Sequence, residues 1–219
     1  MYHYVTDKDY LKQSYSICAD IVNQLVQELK HYDVEAEMTT VGSKRRGLIT
    51  QNEKEPIDYD FNLFIGNAEI FNGDELKNRV MAAFNKVLSR NGWGDCQDST
   101  SALTTEQRVL KKGNKTPFSI DVAIVKEDAW GNLHRLIHRK TGFVAYDQWY
   151  WNMAPNSKNL HDMEDYLKPD YWQLVRDAYL DKKNMYLTRN DHDHPSFICY
   201  IEALYEVYTQ VRRQNGYWY

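Results

Sequence analysis

Ile57-Asp58-Tyr59-Asp60-Phe61-Asn62-Leu63-Phe64-Ile65 sets two carboxylates one residue apart inside an apolar, aromatic run. A second run of the same character, Phe118-Ser119-Ile120-Asp121-Val122-Ala123-Ile124-Val125, carries a third. Both have the composition of β-strands. A carboxylate inside such a run is costly to bury unless something compensates its charge. Upstream lies Val41-Gly42-Ser43, separated from Asp58 by residues 44–57. Three carboxylates on two strands beside a Gly-Ser turn point to a site for divalent metal and phosphate.

Side chains on a strand alternate faces with a period of two. Asp58 and Asp60 therefore project to one side and Tyr59 and Phe61 to the other. Asp121 shares its face with Ser119, opposite Ile120, Val122 and Ile124. If the two strands are neighbours, the three carboxylates converge and repel one another. Two Mg²⁺ ions about 3.5–4 Å apart would neutralise them and clamp an in-line phosphoryl transfer. Oxygen ligands with nothing softer nearby suit magnesium better than zinc, with Mn²⁺ as a substitute. Gly42 allows positive φ and close backbone approach, and Ser43 adds a hydroxyl to turn N–H groups that can cradle an anion. Lys44, Arg45 and Arg46 follow, either assisting there or forming a solvated charge run.

The 219 residues suffice for one large domain or two small ones, with most apolar surface buried without disulfides. A hydrophobic content of 42% and a charged content of 26% are ordinary for a soluble globular chain. The net charge of −4 excludes the chain as a whole as a nucleic-acid-binding surface, leaving room only for a local basic patch. Cys18, Cys96 and Cys199 are far apart, odd in number and without CxxC spacing. They read as reduced thiols of a cytoplasmic protein. Residues 1–30 mix charged and apolar positions unlike a signal peptide, and no run has the apolar length of a membrane span.

Working outward, Ile17, Ile21, Leu25 and Leu29 recur at four-residue steps and predict a helix over 7–32, capped by Thr6 or Asp7. Residues 34–41 alternate as a strand, and 43–56 read as a loop over the sheet edge. A second helix is expected over 74–91, ended by Asn91-Gly92. Residues 102–110 and 116–125 pair as strands across Gly113-Asn114. A further hairpin turns at Trp130-Gly131-Asn132 into 133–138. Strand signals fade from about Tyr146, and helices follow over 163–167, 171–187 and 196–214, with Pro169 and Pro195 near their starts. The expected division is 1–145 for a catalytic domain and 146–219 for a helical lobe packed on it.

The apolar-Gly-Ser turn, the Asp-apolar-Asp-apolar strand and the later strand aspartate together resemble the polymerase-beta-like nucleotidyltransferase superfamily. The resemblance covers about residues 38–125, and the segment between Ser43 and Asp58 is at the long end of the pattern. It implies an α/β (α+β) fold: a short mixed sheet flanked by helices, then a helical C-terminal lobe, with the nucleotide in the cleft between. It also implies Mg²⁺-dependent transfer of a nucleoside monophosphate from an NTP to an acceptor hydroxyl, with release of pyrophosphate. In that scheme Asp58, Asp60 and Asp121 hold the two metal ions. Asp121 also helps activate the attacking hydroxyl. Gly42, Ser43 and Lys44 meet the triphosphate, and a helical-lobe lysine, Lys182 or Lys183, joins them; Lys182 is the candidate adopted. The acceptor stays open between a small molecule, a nucleotide as in second-messenger synthases, and an RNA or protein. A catalytically silent nucleotide-binding module of the same fold, or three structural aspartates paired with Lys or Arg, are the competing readings.

Other stretches have plainer explanations beside functional ones. Asp191-His192-Asp193-His194 has metal-ligand residue types, but it precedes a helix start that Ser196 can cap. Trp149-Tyr150-Trp151 either stacks a base or packs between lobes. His134, His138, Arg139 and Lys140 form a basic stretch, and Tyr217-Trp218-Tyr219 an aromatic tail.

Overall fold

Tyr59, Phe61 and Leu63 are completely buried, and Ile57 and Ile65 nearly so. The alternation read from the sequence therefore has a physical destination: one face of this strand is the floor of the core. The computed structural model describes residues 1–154, 158–191 and 194–216. In chain order its elements are β1 (Tyr2–Tyr4), α1 (Lys8–Leu29), β2 (Ala36–Thr40), α2 (Gly42–Arg46), β3 (Thr50–Asn52), β4 (Ile57–Ile65), α3 (Gly73–Arg90), β5 (Gln97–Asp98), β6 (Leu103–Thr104), β7 (Phe118–Glu127), β8 (Leu133–Arg139), β9 (Gln148–Met153), α4 (Lys158–Leu167), α5 (Trp172–Thr188) and α6 (Ser196–Gln214). The fold is α/β, with a mixed sheet flanked by helices and a helical C-terminal part.

One compact unit comprises Val5–Ile49 and Lys54–Ala154. Its sheet runs β2-β4-β7-β6-β5, with β8 also on β7 and β9 on β8. β4 and β7 are parallel, and the other pairs are antiparallel. The apolar stripes of α1 (Ile21, Val22, Leu25, Leu29) and α3 (Leu76, Val80, Phe84, Val87, Leu88) cover the floor made by β4 and β7. Each large side chain sealed there contributes about 1.5–3 kcal/mol. Asp7 caps α1, its carboxylate accepting the Tyr10 N–H at 2.9 Å. Within the core the Tyr59 hydroxyl meets Ser14 Oγ at 2.7 Å, tying β4 to α1. Tyr59→Phe should cost about 1 kcal/mol in urea denaturation, the net worth of one buried hydrogen bond.

The second unit comprises Met1–Tyr4, Thr50–Glu53 and the helices from Lys158 onward. Here β1 and β3 pair antiparallel, Tyr2 against Asn52. Lys183 reaches this ribbon, with Nζ 3.0 Å from Thr50 Oγ1 and 3.8 Å above the Tyr2 ring. α5 and α6 pack through Val175, Tyr179, Cys199, Ala203 and Leu204. No helix among the described residues is long and apolar enough to cross a membrane.

Several local expectations differ from the structure. Residues 43–56 are not one loop, because they hold α2 and β3. The predicted strand over 102–110 shrinks to β6, with only an isolated bridge at Arg108↔Phe118 beyond it. Strand character does not fade at Tyr146, since β9 pairs with β8 from Gln148 to Met153. Ser196 does not cap α6, whose N-cap is Pro195 without a side-chain hydrogen bond. Residues 192–193 and 217–219, parts of the acidic-histidine stretch and the aromatic tail, lie outside the described residues.

Candidate active site

β4 and β7 bring the aspartates together by register. Asp60 stands directly opposite Asp121, and Asp58 opposite Ser119. All four side chains lie on the face away from the apolar floor. Asp58 is exposed, while Asp60 and Asp121 are half-buried. The Ser119 hydroxyl donates to Asp58 Oδ1. Thr104, opposite Asp121 on β6, donates from Oγ1 to Asp121 Oδ1 at 2.6 Å.

Burial, then the charges of Asp121 and Asp58, push the Asp60 carboxyl from its ordinary 3.8 up to about 6, against the weaker opposing pull of Arg135 and Arg46. Burial also raises Asp121, with Asp58 adding to it and the Thr104 hydrogen bond opposing. Three carboxylates held this close, two of them partly desolvated, leave negative charge that the protein offsets only in part.

The Gly-Ser turn is built around Asp60. The Val41 N–H donates to the Asp60 carbonyl at 3.0 Å, so the chain enters α2 alongside that residue. Gly42 has φ +66°, and a β-carbon there would lie 2.8 Å from Asp60 Cγ. Only glycine meets both conditions. Ser43 is half-buried at the start of α2, and its carbonyl accepts the Leu48 N–H at 2.8 Å. Lys44 Nζ sits 4.6 Å above the Tyr15 ring.

Lys182, in the helical unit, pairs with Glu206 at 2.8 Å. Trp149 and Trp151 pack against the core, with Trp149 stacked on His138 at 4.3 Å between ring centroids. Structural packing therefore accounts for these two tryptophans. The basic stretch also divides: His134 bonds Asp128 at 3.0 Å, and His138 is buried between Asp98 and Asp147, 2.5 and 3.1 Å from them. Sequence reading missed Thr104 and Arg135 as neighbours of the carboxylates, because pairing across strands alone places them there.

An all-oxygen donor set with unbalanced negative charge fits a hard divalent cation. Among the described residues no group of three or more His, Cys, Asp or Glu side chains is placed so as to hold a metal ion as it stands. The site is a row of carboxylates along two strands rather than a preformed pocket of ligands.

This arrangement matches the nucleotidyltransferase fold of the solved structures that follow. The chain is similar to CdnC of E. coli MS115-1 in its complex with HORMA-deltaN, with TM-score 0.54 and 12% identity over 88% of this chain and 57% of that one. It is equally similar to a STING-associated CdnE c-di-GMP synthase from Capnocytophaga granulosa, with TM-score 0.54 and 14% identity over 93% and 64%. The E. coli MS115-1 CdnC structure with ATP gives 0.51 and 14% over 88% and 56%. At such identities the likeness is one of fold. The chain spans 56% to 64% of the length of these structures. No family model and no curated protein matches the sequence.

Proposed function

We propose that this chain is a Mg²⁺-dependent nucleotidyltransferase that moves a nucleoside monophosphate from an NTP to an acceptor hydroxyl and releases pyrophosphate. One observation carries the reading: Asp60 and Asp121 stand in direct register on parallel strands, with Asp58 on the same face. Asp58, Asp60 and Asp121 are the residues that would hold the metal. When bound, magnesium, or manganese in its place, neutralises the carboxylates and withdraws charge from the phosphoryl oxygens. Gly42 and Ser43 offer backbone N–H groups and a hydroxyl to the triphosphate, and Lys44 offers charge to it. Asp121 takes the proton of the acceptor hydroxyl as its oxygen attacks the α-phosphorus and the bond to pyrophosphate breaks. Burial raises this carboxylate's proton affinity, the direction a general base needs.

A nucleotide acceptor is the reading that the similar structures favour, since one of them is a c-di-GMP synthase. Incubation with the four NTPs and Mg²⁺ should then yield linear or cyclic dinucleotides by mass spectrometry. The donor half is tested first by calorimetric titration of each NTP with Mg²⁺ into wild type and Asp60→Asn. Magnesium-dependent binding of at least one NTP is expected. The substitution should weaken it by more than about 10-fold, since even outer-shell partners of a metal cost that much. No binding by folded wild type would overturn the reading.

A further inference from the structure

We infer that Thr104 and Ser119 are positioning residues of the carboxylate row, each hydroxyl fixing one outer aspartate and leaving Asp60 bare for a cation. The inference rests on the nucleotidyltransferase reading above. Among the described residues, none donates a side-chain hydrogen bond to the Asp60 carboxylate, whereas Asp121 and Asp58 each receive one from a hydroxyl.

The choice of donor separates this site from two other carboxylate networks of the chain. Glu28, buried, is paired with Lys86 at 2.6 Å and Arg90 at 2.7 Å. Asp98 is paired with buried Lys77 at 2.5 Å and with His138 at the same distance. Those carboxylates have their charge cancelled by a protein cation. A hydroxyl orients a carboxylate without cancelling its charge, so the row keeps its negative field for an external cation. One oxygen of each outer carboxylate is engaged, and the other stays available.

Thr104 is mounted rigidly for this role. Leu103, beside it on β6, is completely buried. On the other side Thr105 is stitched to β7 twice. Its N–H donates to the Ile120 carbonyl at 3.0 Å, and its Oγ1 accepts the Ile120 N–H at 2.9 Å. Between the pair Thr104↔Asp121 and the bridge Arg108↔Phe118, the antiparallel register slips by one residue. Such a bulge re-aims side chains and ends pairing beside functional sites. The shortness of β6 thus has a consequence: its pairing ends just past the residue that meets Asp121. Ser119 is itself buried, on the β7 position facing Asp58.

The test is Mn²⁺ binding to the metal-free full chain, followed by electron paramagnetic resonance, with thermal melts alongside. It compares wild type, Thr104→Val, Thr104→Ser, Ser119→Ala and Asp60→Asn. Thr104→Val and Ser119→Ala should each weaken Mn²⁺ binding about 10- to 100-fold. Thr104→Ser, which keeps the hydroxyl, should stay within about 3-fold of wild type by the same argument. If Thr104→Ser loses as much as Thr104→Val, the threonine methyl matters and the inference is overturned. If Thr104→Val and Ser119→Ala bind Mn²⁺ like wild type while Asp60→Asn does not, the inference falls and the metal site stands. If wild type itself binds no Mn²⁺, both fall.

Discussion

Asp60→Asn is expected to make the metal-free protein more stable at neutral pH by about 3 kcal/mol while removing magnesium-dependent NTP binding. The stability half follows from linkage. In the fold the Asp60 carboxyl ionises near pH 6, against an ordinary 3.8. Each pH unit between those values is worth about 1.4 kcal/mol. Within that window the folded chain binds more protons than the unfolded one, so stability falls as pH rises. The fall begins near pH 4 and is complete above about pH 6, where the folded state carries a half-buried, repelled carboxylate. Asparagine fills nearly the same volume without the charge, so its curve should lack this descent. Chemical denaturation of both proteins between pH 4 and 8, in chelator, checks it. The opposite result, a loss of several kcal/mol on substitution, would mean that Asp60 is a paired structural carboxylate.

The same charge gives the metal its opposite pH dependence. A cation must displace the proton held by Asp60, so metal affinity in wild type should climb with pH up to about 6 and level off beyond it.

Much of this was legible in the sequence, for reasons tied to particular residues. β4 declares itself because Ile57, Tyr59, Phe61, Leu63 and Ile65 repeat the strand period without interruption, and that period also assigns Asp58 and Asp60 to one face. α1 and α3 declare themselves through the four-residue recurrence of their apolar side chains. Register is a different matter. Nothing in the sequence says that Asp60 faces Asp121 rather than Ser119, because a two-residue shift along the parallel pair would preserve every face assignment. Thr104 stayed hidden for the same reason, since its importance lies in its partner across β6 and β7. β3 is three residues whose partner is the remote segment Tyr2–Tyr4, so no local pattern announces it. β9 presented its Trp149-Tyr150-Trp151 as an aromatic cluster. These residues are good strand formers, and two of them turn out to pack against the core.

Gly42→Ala should separate stability from function most cleanly. A side chain at φ +66° pays a left-handed backbone cost of about 1–2 kcal/mol. In a chain of this size that corresponds to a drop in melting temperature of roughly 2–8 °C. The larger effect is local. The new β-carbon would stand 2.8 Å from Asp60 Cγ, closer than packed atoms tolerate, and 3.1 Å from its Cβ. Strand β4 cannot retreat, because β2 and β7 hold it on both sides and the Val41 N–H is bonded to the Asp60 carbonyl. What moves is the carboxylate, so NTP and Mg²⁺ binding should fall as far as in Asp60→Asn. Gly113→Ala supplies the comparison, since Gly113 has φ +83° with nothing within 4 Å of an added β-carbon. It should show the same order of stability loss with NTP binding unchanged. If Gly42→Ala instead binds NTP as Gly113→Ala does, the position of the Asp60 carboxylate is immaterial to the site, and the role of the Gly-Ser turn reduces to its backbone angle.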